Sequence, residues 1–181
     1  CLVYASKAPF RVGYLRGDSD LFLNIEVPPP DVIRHEIDIH LDLLRYLVGE
    51  VPEYPTHVAV RENERLYATR FVAIQGVTQE EVLVGIHIGG RRDKRWLIEH
   101  FAALSDRLMI EGGAKVMVFY GPLETSEIKL FQEKVEGAPI IPEPQSLKHL
   151  AALIERCDFF ISGDTGPMHL AVAMGTPTIA I

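Results

Sequence analysis

From residue 82 onward the chain repeats one pattern: a short apolar run, a glycine or proline break, then apolar residues at helical spacing. Apolar strands separated by amphipathic helices fit a parallel sheet with crossover helices, because both faces of such a sheet are covered. Residues 82–87 read as the first strand, Gly89 and Gly90 break it, and Leu97, Phe101, Leu104 and Leu108 mark the helix that follows. Gly112 and Gly113 stop that helix. Residues 115–120 form the next strand, Ile128, Phe131 and Val135 share one face of the next helix, and Ile140 and Ile141 make a brief strand. Ser146 is a good N-cap for a helix burying Leu147, Leu150, Ala151 and Ile154. Residues 158–162 and 177–181 are the last two strands. The expected fold class is α/β, with a Rossmann-like parallel sheet of five strands and four helices.

The first eighty residues differ. "VPPPDVIRHE" marks a loop or linker, and Ile37, Leu41, Leu44 and Val48 define an amphipathic helix ended near Gly49 and Pro52. Residues 11–15 and 21–27 read as strands ahead of it. The expectation is the C-terminal part of one α/β domain over 1–77, then a second domain over 78–181, with the boundary in "GVTQEE". The opening Cys1 and the closing strand read as cut ends, so the chain is expected to be a fragment.

With 181 residues, 48% hydrophobic and 24% charged, the composition is that of a globular chain. A net charge of -7 gives little support to a nucleic-acid scaffold. Two cysteines, Cys1 and Cys157, are too few for a disulfide framework or a zinc site and suggest a reducing compartment. No apolar run is long enough for a membrane span and no signal peptide is visible, so the expected location is cytoplasmic.

The densest chemistry is "SGDTGPMHLAVAMG", residues 162–175, at a strand-to-helix junction. In an open α/β sheet, ligands bind beyond the carboxyl ends of the strands. Here Asp164 can cap the helix, Pro167 suits its first turn and Gly175 closes it. The backbone N–H groups of Thr165, Gly166 and Met168, with the positive end of the helix dipole, would cradle phosphate groups. Asp164 would repel a phosphate, so it is expected to accept hydrogen bonds from sugar hydroxyls or simply to cap. His169, in the first turn, is expected as a neutral imidazole. A plain helix start is the competing reading.

A second element shifts that balance. "GIHIGGRRDKRW", residues 85–96, places a glycine pair and four basic side chains at the end of the first strand. Gly89 and Gly90 let backbone approach a ligand, and Lys94 can neutralise a diphosphate as a point charge. Arg91, Arg92 and Arg95 read equally well as solvated charges. The stretch is neither a Walker loop nor a Gly-x-Gly-x-x-Gly fingerprint, and alone it reads as a basic surface loop. Two such strand ends on one sheet are both explained by a single nucleotide diphosphate bridging them.

"HIGGRRDKRW" with "FAALSDRL" and "SGDTGPMHLAVAMGTP" resembles the C-terminal domain of glycosyltransferase family 9, the ADP-heptose lipopolysaccharide heptosyltransferases of GT-B architecture. "RVGY" and "RHEIDIHLDLL" are similar to the later part of that family's N-terminal domain, so the resemblance covers nearly the whole chain. It implies a donor nucleotide sugar, ADP-heptose, held by the C-terminal domain and a lipid-linked saccharide acceptor held by the other. It implies that Lys94 contacts the donor phosphates and, as the one catalytic residue assigned here, stabilises the charge of the leaving group. It further implies that Thr165 and Gly166 hold the diphosphate, that Asp164 binds the transferred sugar and that His169 supports the loop or the phosphate. At Gly89 and Gly90 some members carry hydroxyl side chains, so only backbone contacts carry over. The segment around Gln145 falls where the family reads adenine by backbone. The implied reaction is inverting displacement, metal-independent and without a cofactor. The family's general base is an aspartate early in the N-terminal domain, matched by no residue here, so the chain alone is expected to transfer nothing. Peripheral association with the bacterial inner membrane follows from the acceptor. Competing readings are a sugar-nucleotide epimerase or hydrolase of the same architecture, and a non-catalytic nucleotide-sugar-binding module.

Other motifs read as decoys. "DSD" at 18–20 matches a metal-binding Asp-x-Asp pattern but sits in an expected turn. In "HEIDIH", His35 and His40 are five apart, which rotates them away from the four-residue spacing a helical metal site needs. Glu124, Glu127 and Lys129 read as exposed charges, and Trp96 as a packing anchor.

Overall fold

The computed structural model describes residues 2–15, 21–52, 55–90 and 95–181. The chain divides into two compact units, Cys1–Tyr54 and Pro55–Ile181.

In the first unit, helix α1 (Leu2–Ala5) precedes a parallel pair, β1 (Val12–Tyr14) and β2 (Ile25–Val27), and then helix α2 (Glu36–Val48). The His35 side chain caps α2 by accepting from the Ile37 amide at 3.2 Å, and Gly49, at φ 84°, ends it. The Tyr14 hydroxyl donates to the Ile39 carbonyl at 2.7 Å, tying α2 to β1. The expected strands are present but shorter, at three residues each.

The second unit opens with helix α3 (Glu62–Ile74), which the sequence pattern does not announce. It lies ahead of the expected 77/78 boundary, yet it packs against α6 (Leu147–Glu155). The remaining elements are β3 (Leu83–His87), α4 (Ile98–Ile110), β4 (Lys115–Phe119), α5 (Thr125–Lys134), β5 (Phe159–Ser162), α7 (Gly166–Met174) and β6 (Thr178–Ala180). They form a four-stranded, all-parallel sheet in the order β4-β3-β5-β6. The expected fifth strand is a single parallel bridge from Ile140 to Met117 of β4.

Alternation along the strands divides the core between two faces. Leu83, Met117, Phe119 and Phe160 pack with α3, α6 and α7 through Ala68, Val72, Ala151 and Leu170. Val84, Ile86, Val116, Val118 and Ile161 pack with α4 and α5 through Ile98, Phe101, Ile128 and Phe131. Burying one such side chain stabilises by roughly 1.5–3 kcal/mol, so each face contributes heavily to holding its helices. Several positions expected on apolar helix faces are exposed instead: Leu97, the N-cap of α4, Leu147, which begins α6, and Ile37, Leu44 and Val48 of α2, whose buried residue is Ile39. Gly85 lies where β3 meets Phe160 and Cys157; a Cβ there would stand 2.6 Å from the Phe160 ring.

The topology sets the site. From β3 the chain crosses to β4 on one side, whereas from β5 it crosses to β6 on the other. Loops leaving adjacent parallel strands in opposite directions open a crevice at their carboxyl ends. That crevice lies between the ends of β3 and β5, where His87 and Ser162 are register partners.

Candidate functional site

Both sequence-marked turns meet at this crevice. Gly90, at φ 149°, brings the loop after β3 so close to the β5–α7 junction that a Cβ there would stand 3.4 Å from the Thr165 methyl group. A cavity of about 500 Å³ opens above them, lined by His87, Gly90, the loop after β4 through Glu124, and the junction from Asp164 to Pro167. A smaller one of about 130 Å³ shares His87, Gly121, Pro122 and Pro167 and extends to Tyr120, Gln145 and Leu150.

Helix α7 starts at Gly166, with Thr165 rather than Asp164 at the N-cap. Thr165 makes no side-chain capping bond, and Pro167 has no N–H to be capped. Met168 donates to the Thr165 carbonyl at 3.1 Å, which closes the first turn and leaves Thr165 and Gly166 as the forward amides. Asp164 stands at the cavity wall with its carboxylate 3.6 Å from His169 Nε2; both side chains are exposed. Gly175 closes the helix in the left-handed conformation.

Beneath the turns lies a polar cluster that the sequence reading passes over. His87 is only 6% exposed, and burial pushes its imidazole down to about 4, so it is neutral at ordinary pH. Its Nδ1 lies 3.4 Å from the Thr165 hydroxyl, which is 3.0 Å from the Ser162 hydroxyl; Ser162 in turn donates to the Gly163 carbonyl at 2.9 Å. The signal was present in "GIHIGG": a histidine ending an otherwise apolar strand.

Gly89 is buried beside His87, and a Cβ there would stand 2.7 Å from the imidazole and 2.8 Å from the Glu124 carboxyl. Glu124 is thus no free surface charge: its carboxylate turns back to accept from the Gly121 amide and lines the larger cavity. Glu127 also departs from the expected exposed state. It pairs with Arg95 at 2.7 Å, both side chains being mostly buried, and Ser126 and Arg95 hold its carboxyl below the usual range.

Around the smaller cavity the Gln145 amide donates to the Glu143 carbonyl at 2.6 Å while its oxygen accepts from the Tyr67 hydroxyl at 3.0 Å. Tyr67 belongs to α3 and packs on the His149 ring at 4.4 Å. The Tyr120 hydroxyl donates to Glu143 at 3.1 Å, and burial first, then Glu143, raises its pKa. Prolines, aromatic rings and Leu150 make this a mainly apolar slot, with Glu143 and Gln145 as its polar lining.

Lys94, Arg91 and Arg92 lie outside the described residues, as do Asp18 and Asp20 of the "DSD" run. Trp96 packs edge-on against Phe101 with ring centroids 5.1 Å apart, as a packing anchor would. His35 caps α2 and His40 faces Glu36 at 3.8 Å, and among the described residues no group of three His, Cys, Asp or Glu could hold a metal. Cys157 is buried, with its thiol pushed up to about 12 by burial, and is correspondingly unreactive. No helix among the described residues is long and apolar enough to cross a membrane.

Over its whole length, residues 1–181, the chain matches the glycosyltransferase family 9 (heptosyltransferase) profile. The chain belongs to glycosyltransferase family 9. Its mixed α/β fold with parallel sheets is that of the family's GT-B structures. It is similar to the lipopolysaccharide core heptosyltransferase OpsX of Haemophilus influenzae, 24% identical over 97% of this chain and 51% of that protein. Lipopolysaccharide heptosyltransferase 1 of Escherichia coli K12 is 30% identical over 56% of the chain and 31% of its own length. Among solved structures, the family 9 glycosyl transferase of Veillonella parvula superposes with a TM-score of 0.85 at 28% identity, covering 99% of this chain and 52% of that one. The E. coli heptosyltransferase WaaC with ADP-2-deoxy-2-fluoro heptose gives 0.63 at 24% identity, covering 90% and 49%. The chain thus spans about half the length of the family 9 proteins it covers most fully.

Proposed function

We propose that this chain holds the nucleotide-sugar donor, ADP-heptose, in a glycosyltransferase that passes a heptose-type sugar to a lipopolysaccharide core acceptor. The observation that carries the proposal is the meeting of two backbone turns over one cavity: the Gly89–Gly90 turn and the leading amides of Thr165 and Gly166. Family membership supports the reaction class. The E. coli heptosyltransferase WaaC, solved with ADP-2-deoxy-2-fluoro heptose, supports the donor class.

In this reading the diphosphate lies across the two turns, where the α7 dipole favours negative charge. Lys94 supplies the countercharge as a point cation. Asp164 accepts hydrogen bonds from the transferred sugar's hydroxyls, and His169 steadies Asp164 from the next turn. The base fills the smaller slot beside Gln145. As an acceptor hydroxyl displaces the diphosphate from the anomeric carbon with inversion, charge accumulates on the leaving group. The amides are already oriented toward it and Lys94 adds a positive charge, so the transition state gains stabilisation without metal or cofactor. No residue of this chain is assigned as the base. The acceptor is a lipid-linked saccharide, and the enzyme works at the cytoplasmic face of the inner membrane.

Calorimetric titration of the chain with ADP, UDP and GDP tests the reading. ADP is expected to bind tightest, and Lys94→Ala or Asp164→Asn to weaken ADP-heptose binding at least tenfold. Equal binding of all three nucleotides, or affinity unchanged in the double variant, overturns it.

A further inference from the structure

We propose that His87 is a positioning residue, donating its Nδ1–H to the Thr165 hydroxyl and so holding the 163–166 turn in the conformation that presents its amides. The inference rests on the donor-site reading for its consequence, but the hydrogen-bond direction follows from the cluster itself.

The chain of hydroxyls has one consistent direction. Ser162 has a single hydroxyl hydrogen, and it is directed to the Gly163 carbonyl at 2.9 Å. The 3.0 Å contact between Ser162 and Thr165 therefore has Thr165 as donor and the Ser162 oxygen as acceptor. With its own hydrogen committed, the Thr165 oxygen can only accept from His87 Nδ1, which must carry the proton. Burial keeps the ring neutral, so Nε2 is left bare. The directions alternate without conflict from β3 through the N-cap of α7 to the end of β5.

The mechanical effect is that the Thr165 side chain is clamped on two sides. Its hydroxyl is shared by His87 and Ser162, the register partners at the ends of β3 and β5, and its methyl faces Gly90. Thr165 is an N-cap residue whose side chain does not cap, because it is used sideways to join the two turns. An N-cap threonine that instead bonded its own helix would take up an amide that the donor reading assigns to phosphate. His87 thus orients the site without touching the donor phosphates.

The test has two readouts on the full chain. In the free protein, long-range nitrogen-15 spectra of the imidazole are expected to show the neutral Nδ1–H tautomer, and Thr165→Val to move that resonance. An Nε2–H tautomer overturns the proposal. For ADP binding by calorimetry, His87→Leu and Thr165→Val are each expected to weaken affinity about tenfold, with the double variant no weaker than either. His87→Asn, which places an amide donor near the position of Nδ1, is expected to restore most of it, whereas His87→Gln does not. Unchanged affinity in Thr165→Val, or additive losses, overturns the proposal even if His87→Leu fails to fold. Failure of the wild-type chain to bind ADP instead overturns the donor reading, while the tautomer spectrum still decides the His87–Thr165 bond.

Discussion

His87 Nδ1 stands 3.4 Å from the Thr165 hydroxyl although 78 positions separate them in the chain. His87 ends β3 and Thr165 lies three residues beyond the end of the adjacent parallel strand β5, at the point where the crossovers diverge, so the sheet itself brings them together. Local side-chain chemistry then converts a fold-level crevice into two backbone turns at fixed separation.

Burial of His87 predicts a pH dependence of stability. The ordinary value near 6.5 applies to the unfolded chain, while the folded value is about 4. As pH falls through this window the unfolded state takes up the proton first, so folding weakens from about pH 6.5 down to about pH 4 and then levels off. At 1.36 kcal/mol per unit the full loss is about 3 kcal/mol. The Glu124 carboxyl, which faces Gly89 together with the ring, is common to both proteins in the comparison. Urea midpoints measured from pH 7.5 to 4 are expected to fall more steeply for wild type than for His87→Asn; parallel curves would refute the burial argument.

Two glycines separate stability from binding. Gly85→Ala drives a methyl into the buried Phe160 ring and Cys157, and overpacking of this kind costs about 1–3 kcal/mol. Its urea midpoint should drop while ADP affinity per folded molecule is kept. Gly89→Ala instead meets His87 and Glu124, so ADP affinity should fall along with stability. A Gly89→Ala protein with wild-type ADP affinity would show that the turn tolerates a side chain.

Tyr67→Phe removes one hydrogen bond from Gln145 at the edge of the smaller cavity. A bond of this kind is worth about 1 kcal/mol. Stability is expected to fall by about that amount and ADP affinity by up to about fivefold as Gln145 loses its anchor, whereas ribose-free pyrophosphate should bind as before. A parallel loss for pyrophosphate would place the effect elsewhere.

Much of this was legible in the sequence because parallel sheets write themselves plainly. From β3 to β6, strands apolar on both faces alternate with helices whose apolar residues recur at helical spacing, and glycines mark the breaks. Helix α3 was not legible. Its buried face is Ala68, Val72 and Glu64, the last satisfied by accepting from the Arg61 amide at 3.0 Å, which leaves little apolar periodicity to detect. The glycine turns and the α7 junction were visible as motifs, but the His87–Thr165–Ser162 cluster depends on strand register, and no local spacing carries that. Glu124 and Glu127 looked like surface charges for the same reason: their partners, Gly121 and Arg95, are set by loop geometry and by packing between α4 and α5.

Backbone amide spectra recorded while ADP is titrated into the chain test the central claim most directly. The account predicts that the amides of Gly90, Thr165 and Gly166 shift together and saturate along one binding curve. Saturable binding that moves only one of the two turns, or neither, would contradict it.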